Sequence, residues 1–270
     1  MTVTLSAIHI YPVKALGSIS LAEAIVTTRG LLHDRRFMVV DADDVCVTQR
    51  DVPKMATVWM EIGENEIILS APDMESMPMP AEPPELPSRI VRVWSSDVLA
   101  HSISVEADAW LSEYLGFAAR LVYMPDSSER RIDPLFAKND EVVSFADGYP
   151  LLVISAASLV DLNERIVKNG GSALPMNRFR PNLVIAGCEA YAEDKVGDVQ
   201  IGKALFRAVK PCARCQVTTT DQARGEVRGP EPLQTLATYR DTPNGVIFGM
   251  NLVPVRLGTV RVGDVVTLAQ

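Results

Sequence analysis

Apolar residues in the first half of the chain come in short runs, most of which alternate with polar residues. A period of two buries one side of a strand, so the pattern predicts β-structure rather than helix. Turn residues such as Arg29-Gly30 and Asp43-Asp44 separate neighbouring runs. The pattern predicts strands over residues 2–11, 20–28, 35–41, 45–48, 57–62, 66–70, 89–94, 98–101 and 121–124.

Two segments follow a helical period instead. The spacing of Ala107, Trp110 and Leu111 predicts an amphipathic helix over 105–115, and Ser155 is suited to cap a second helix that runs through Val167. The second half otherwise predicts strands over residues 150–154, 182–186, 200–201, 205–209, 216–220, 246–253 and 255–268. Many short strands with few helices predict a mainly β fold (α+β), rich in β-barrel structure in both halves.

Two segments interrupt this pattern. Residues 72–87 contain six prolines, so they are excluded from a central strand or a helix interior and are predicted to form a surface loop. The polar stretch 125–140 is the best candidate for a domain boundary. We therefore predict a β-rich N-terminal domain over 1–125 and a second domain over 126–270.

Composition and charge narrow the class of protein. The chain has 270 residues, 47% of them apolar, and a formal net charge of −8. This acidic balance argues against nucleic acid as a partner, because phosphate backbones are bound by an excess of Lys and Arg. No apolar run reaches the roughly 18 residues needed to span a bilayer, and the N-terminus lacks the pattern of a signal peptide. We expect a cytoplasmic protein that binds no membrane.

The run Lys210-Pro211-Cys212-Ala213-Arg214-Cys215 holds two of the four cysteines, three residues apart. Its cations favour the thiolate, which is the form that binds soft metals. A zinc site would need two more ligands, and a thioredoxin-like pair would open a helix, whereas β-prone residues follow here. A structural pair and a single cysteine acting as a metal or sulfur ligand also stay open.

Further motifs follow one another along the chain: Tyr11-Pro12-Val13-Lys14, Asp34-Arg35, Thr48-Gln49-Arg50, Phe145-Ala146-Asp147, Arg178-Phe179-Arg180-Pro181-Asn182, the cysteine run and Val262-Gly263-Asp264. Together and in this order they resemble the molybdenum cofactor sulfurase C-terminal (MOSC) domain family. The resemblance is to the branch that contains the mitochondrial amidoxime reducing component and its bacterial relatives. It implies a β-barrel MOSC domain over 126–270, preceded by the β-rich domain that accompanies it in this branch.

The resemblance also implies a molybdenum cofactor, a pyranopterin dithiolene, held between the two halves. Cys215 matches the family's metal-binding cysteine and is the expected metal ligand and catalytic residue, whereas Cys212 is not expected to be a ligand. The chain departs from the family at Tyr149, where some relatives have a small hydroxyl residue, and at Ala15, where a serine is common.

The residue types in these motifs suit such a cofactor. The expected donors to its phosphate and pterin are Lys14, Arg35, Arg50, Arg180 and Asn182. Arginine binds phosphate through two parallel hydrogen bonds, and charge-assisted bonds are about twice as strong as neutral ones. Asp147 is expected to accept a hydrogen bond from the amino group of the pterin.

The activity implied by the resemblance is the reduction of N-hydroxylated or N-oxygenated small molecules at molybdenum, with no role for pyridoxal phosphate. The sequence has no cysteine-rich iron–sulfur module, so electrons are expected from a separate electron-transfer protein. Two alternatives to this activity stay open. In the first, the protein is a sulfur carrier that holds a persulfide on Cys215 or Cys212. In the second, it carries the cofactor without turning over a substrate.

Overall fold

The computed structural model of the chain describes residues 2–83 and 87–269. Most of the regular structure in the first half of this described chain consists of short strands. They are β1 (Thr4–Ile10), β2 (Ile19–Leu21), β3 (Glu23–Thr27), β4 (Gly30–Leu31), β5 (Phe37–Val40), β6 (Trp59–Ile62), β7 (Glu66–Ser70), β8 (Met77–Pro80), β9 (Ser88–Val93), β10 (Ser96–Ser102) and β11 (Arg120–Tyr123).

Strands also dominate the second half. They are β12 (Leu151–Ser155), β13 (Leu183–Ala186), β14 (Asp198–Ile201), β15 (Ala204–Ala213), β16 (Thr220–Asp221), β17 (Glu226–Val227), β18 (Ile247–Arg256), β19 (Gly258–Arg261) and β20 (Val266–Ala269). The α-helices are α1 (Val105–Leu115), α2 (Ala156–Lys168) and α3 (Leu233–Ala237). The mainly β fold with few helices is confirmed.

The largest sheet draws on both ends of the chain. Its eight strands lie in the order β2-β1-β13-β12-β18-β15-β14-β20, so β1 pairs with β13 of the second half. Strand β3 likewise pairs with β19. The first half keeps two sheets of its own, β5-β11-β10-β9 and β6-β7-β8. The division at residues 125 and 126 stays a prediction, and strands from residues 4–27 hydrogen-bond to strands of the second half.

Local signals account for the two long helices. The Ser104 hydroxyl accepts from the Ala107 amide at the start of α1, and Gly116 ends it with a φ of 83° that favours glycine. The Ser155 hydroxyl accepts from the Ala157 amide at the start of α2. Both helices lie where the sequence predicts them, over 105–115 and from Ser155 through Val167.

The prediction of a strand over 216–220 was wrong. Residues Gln216–Thr219 form a 3₁₀ turn, and only Thr220–Asp221 are extended. The Thr218 hydroxyl donates to the Cys215 carbonyl at 2.9 Å, and the Thr219 hydroxyl donates to the Gln216 carbonyl at 2.7 Å. Threonine is β-prone, but its hydroxyl here bonds the backbone three residues earlier and favours the turn.

The proline-rich segment was only partly predicted. Strand β8 lies within it as an edge strand against β7, where proline is tolerated because its missing amide faces outwards. Residues 84–86 of the predicted loop lie outside the described residues. Of the two strands predicted over 35–41 and 45–48, the first is β5, whereas the second is reduced to isolated bridges from Cys46 to Val40 and from Val45 to Arg92.

Two apolar clusters fill most of the interior. One lies under the first-half sheets and α1, with Phe37, Met55 and Leu111 fully buried. The other fills the eight-stranded sheet and includes Leu5 and Phe206. Among the described residues, no helix is both long enough and apolar enough to cross a membrane.

A buried carboxyl group secures the start of α2. Glu193 is 0% exposed, and its Oε1 atom accepts from the Ser155 amide at 3.0 Å and the Ser158 hydroxyl at 2.8 Å. The Glu193 Oε2 atom has no hydrogen-bond partner among the described residues. Burial raises the pKa of Glu193 above its ordinary value, despite these two hydrogen bonds.

The folded state therefore binds a proton at Glu193 that the unfolded chain releases, over the range between the two pKa values. We expect this contribution to stability to be complete below about pH 4.5 and to be lost as the pH rises through the folded-state pKa, with a slope of ~1.4 kcal/mol for each pH unit between the two values. Urea denaturation at several pH values should show this slope in the wild type and a flatter one in Glu193→Gln. The exposed Glu164→Gln serves as the control, and equal slopes in wild type and Glu193→Gln would contradict the assignment.

Candidate functional site

A cavity with an empty volume of about 800 Å³ lies where the two halves meet. Every residue predicted for the site lines it: Lys14, Arg35, Arg50, Asp147, Arg180, Asn182 and Cys215. Five of its lining residues are cations, whereas Asp147 is its one lining carboxylate within the described chain. The cavity is therefore strongly basic although the protein carries a net charge of −8.

Tyr11 is buried and supports two of the cations that line the cavity. The guanidinium carbons of Arg35 and Arg180 lie 4.4 and 4.2 Å from the centroid of its ring. The Tyr11 hydroxyl donates to the Pro181 carbonyl at 3.0 Å, and burial raises its pKa to about 12. The ring is thus a neutral aromatic surface that supports two like charges at once.

The two arginines differ in how their charge is balanced. Arg35 pairs with the buried Asp34 at 2.6 Å and donates to the Asn182 amide oxygen at 3.1 Å. Arg180 has no carboxylate partner within the described chain, and its Nη1 atom donates to Gln222 at 3.3 Å. The Arg180 Nη2 atom is buried without a hydrogen-bond partner among the described residues. Burial lowers the pKa of Arg180 to about 10, and the charge of Arg35 adds to this effect.

A second cluster joins the halves through Lys14. Its ammonium group lies 2.5 Å from the Asp147 carboxylate and donates to the Phe145 carbonyl at 2.8 Å. Partial loss of hydration in the cavity opposes the charge on Asp147, but Lys14, Arg35 and Arg50 together hold its pKa well below its usual range. Because the Asp147 side chain is 69% exposed, solvent screens the pair and its contribution to stability is small.

Arg130 fixes the loop that carries Asp147. Its guanidinium group donates to the carbonyls of Ser144, Ala146 and Asp147 at 2.9, 2.5 and 2.7 Å. Three bonds from one buried, planar group hold the loop backbone in place. This role was not predicted from the sequence, because nothing in the neighbours of Arg130 signals a contact with residues 144–147.

Both cysteines of the run line the cavity, but their thiols have different partners. Cys215 has extended backbone, and its thiol has no hydrogen-bond partner among residues 2–83 and 87–269. The Cys212 thiol accepts from Arg214 Nη1 at 3.0 Å. Lys210, the other cation of the run, lies over the Phe136 ring at 5.0 Å and does not line the cavity. In the described parts of the chain, no three His, Cys, Asp or Glu side chains are grouped to hold a metal ion.

Both departures from the family pattern, Ala15 and Tyr149, line the cavity. Ala15 contributes its backbone carbonyl, which accepts from the Gln49 amide at 2.6 Å. The Tyr149 hydroxyl is buried without a partner in the described residues, and burial raises its pKa to about 12. A further lining residue, Trp94 from the first half, was not predicted from the sequence.

Comparison with known proteins gives two family matches. The MOSC domain matches residues 140–267, and the MOSC N-terminal beta barrel domain matches residues 2–118. Mitochondrial amidoxime-reducing component 1 of Mus musculus is 34% identical over 283 residues, which cover 98% of this chain and 82% of that protein. The chain belongs to the MOSC-domain family. Its membership in the branch of the amidoxime reducing components confirms the resemblance found in the sequence.

Mitochondrial amidoxime reducing component 2 of Homo sapiens is also similar to this MOSC protein. It is 33% identical over 279 residues, covering 97% of this chain and 82% of the human protein. The names of these relatives place them in mitochondria, and the cytoplasmic location of this chain stays a prediction. The solved structure of the YUAD protein from Bacillus subtilis matches 98% of this chain and 94% of that chain, at 11% identity and a TM-score of 0.43.

A pair of glutamines joins the two halves of this MOSC protein beside the cavity. The Gln49 amide donates to Gln222 Oε1 at 3.1 Å, and the Gln222 amide donates to Gln49 Oε1 at 2.8 Å. Gln49 also bonds the Ala15 carbonyl, and Gln222 Oε1 accepts from Arg180. The pair thus connects the first-half wall of the cavity to the arginine on the opposite half.

Because each amide satisfies the other, we expect Gln49→Ala and Gln222→Ala to destabilise the fold by about 1–2 kcal/mol each. The loss of unfolding free energy in the double variant should be smaller than the sum of the two single losses, by about 0.5–1.5 kcal/mol. Urea denaturation of the four proteins measures this coupling. The exposed Gln234→Ala is the control and should change little, while strict additivity of the two glutamine variants would show that the pair is not coupled.

Proposed function

We propose that the chain is a molybdenum-cofactor-dependent reductase of N-hydroxylated compounds. The observation that carries the proposal is the basic cavity, in which the free Cys215 thiol and the partly unpaired Arg180 line the same space. The names of relatives with 33–34% identity support the reaction class. The substrates would be small N-oxygenated molecules such as N-hydroxylated amidines.

The residues present fit the cofactor. A buried guanidinium N–H group without an acceptor is costly, and an anionic group in the cavity would satisfy it. Arg180 and Arg35 would hold the phosphate of the cofactor, with Lys14 and Arg50 adding positive charge. Asn182 orients Arg35 through its amide oxygen at 3.1 Å. Asp147 stays ionised at neutral pH because its pKa is lowered, so it would accept a hydrogen bond from the pterin amino group.

Cys215 would be the one protein ligand to the metal. A thiolate is a soft donor and suits molybdenum that already carries two dithiolene sulfurs. When bound, the cofactor would supply the redox centre for cleavage of an N–O bond. In this reaction the substrate takes up two electrons and two protons, and its oxygen leaves as water. The enclosing walls limit the access of bulk water to that position. We propose that a separate electron-transfer protein delivers the electrons.

One contact favours a second candidate function, that of a sulfur carrier. Arg214 Nη1 donates a hydrogen bond to the Cys212 sulfur at 3.0 Å. A persulfide on Cys212 would have the same cationic donor beside it. Metal content separates the two functions, since an enzyme holds about one molybdenum per chain and a carrier holds sulfur that cyanide releases, without metal.

We expect Cys215→Ser to lower the reduction of an N-hydroxylated benzamidine by ~100-fold or more, because even groups that only support a metal ligand change activity 10–100-fold. A reduced viologen dye serves as the electron source, and metal analysis gives the molybdenum content. Cys212→Ser, the matched control, should retain activity within about threefold. Full activity of Cys215→Ser would remove Cys215 from the metal, and releasable sulfur in a wild type without molybdenum would favour the carrier.

A further inference from the structure

Trp94 occupies an unusual place in the backbone. It is the first of two residues, Trp94 and Ser95, that connect β9 to β10, since Val93 pairs directly with Ser96. Its φ is 54°, in the left-handed region. Two-residue hairpin loops need a positive φ at this position, and they are filled mainly by glycine, asparagine or aspartate. A bulky aromatic residue here is an outlier.

This strain belongs to a wider pattern around the cavity. Nine described residues other than glycine have a positive φ, and four of them, Ala15, Arg35, Trp94 and Arg180, line the cavity. Strained backbone persists where the surrounding structure requires it, and such positions concentrate at functional sites. Trp94 is the one of these four that lies in a two-residue hairpin loop, where glycine, asparagine or aspartate is usual.

The ring of Trp94 contacts two cations of the cavity. The guanidinium carbon of Arg50 lies 4.4 Å from the ring centroid, and the Lys14 ammonium lies 5.1 Å from it. Lys14 is also held by Asp147 and the Phe145 carbonyl. The Arg50 side chain makes no hydrogen bond or salt bridge within the described chain, so the Trp94 ring is its principal support there.

We propose that Trp94 is a positioning residue that holds Arg50, and to a lesser degree Lys14, toward the cavity for the anionic phosphate end of the cofactor. The inference rests on the proposed function, because it takes this cavity as the cofactor site. An exposed arginine loses side-chain entropy when it binds an anion. A ring that already restricts the guanidinium group removes part of that cost.

The test is cofactor retention by the holoenzyme. Purified variants are dialysed at increasing salt, and molybdenum per chain and pterin fluorescence are measured. We expect Trp94→Leu to weaken retention by about two- to thirtyfold, the range that corresponds to a cation–π contact. Trp94→Phe keeps an aromatic face and should restore part of the loss. Trp59→Leu is the matched control, since Trp59 is 47% exposed and contacts no cation in the described chain.

Two further variants separate positioning from a structural role. In an Arg50→Met background, Trp94→Leu should weaken retention less than it does in the wild type, because its main partner is absent. Trp94→Asn should weaken retention while leaving the melting temperature unchanged or raising it by ~2–4 °C, because asparagine tolerates this φ. If Trp94 had only a structural role, its replacement would instead lower the melting temperature and leave cofactor retention unchanged.

The inference is overturned if Trp94→Leu retains the cofactor as well as the wild type, or if Trp94→Phe is as defective as Trp94→Leu. Equal effects of Trp94→Leu with and without Arg50 would also overturn it. A wild type that never binds molybdenum is a different result, because it refutes the proposed function itself. If the wild type binds molybdenum and the Trp94 variants retain the cofactor equally well, only the positioning role is refuted.

Discussion

The pairing of β1 with β13 is the contact on which the cavity depends. Ile8 lies opposite Leu183, and the His9 amide donates to the Asn182 carbonyl at 2.8 Å. Strand β1 leads directly into Tyr11 and Lys14, while Arg180 and Asn182 directly precede β13. One antiparallel ladder therefore sets residues from the two halves of the chain against each other, and the register fixes which side chains meet.

The charge arrangement that results is unfavourable without a ligand. Arg35 and Arg180 contact the same Tyr11 ring, and of these two only Arg35 has a carboxylate beside it in the described structure. Arg180 is half-buried, and one of its nitrogens lacks an acceptor among the described residues. The fold supports this arrangement through neutral contacts, namely the tyrosine ring, the Gln222 amide and backbone carbonyls. Binding of an anion would convert this electrostatic cost into affinity.

The strand-rich architecture and both long helices could be predicted from the sequence because alternation and helix caps are local signals. The lining residues could be predicted only through their order in family motifs, since spacing alone does not show that Lys14 lies beside Asp147. Tyr11 stands inside a recognised motif, yet its aromatic contact with two arginines has no local signal. The pairing of Gln49 with Gln222 was missed for the same reason, because both side chains are neutral and they are far apart in sequence. The strand predicted over 216–220 failed because hydroxyl-to-carbonyl bonds outweighed β-propensity.

The long-range ladder also has a consequence for synthesis on the ribosome. Ser6 in β1 bonds the Val184 carbonyl, 178 residues further along the chain. At ~5–20 residues per second, β1 waits roughly ten to forty seconds before its partner is translated. During that time β2 can pair with one edge of β1, but the edge that later faces β13 has unpaired backbone groups. An open strand edge of this kind can associate with other chains. Formation of the largest sheet therefore lags well behind the synthesis of its first strand, and the sheets that the first half forms by itself are the ones available to it in the interval.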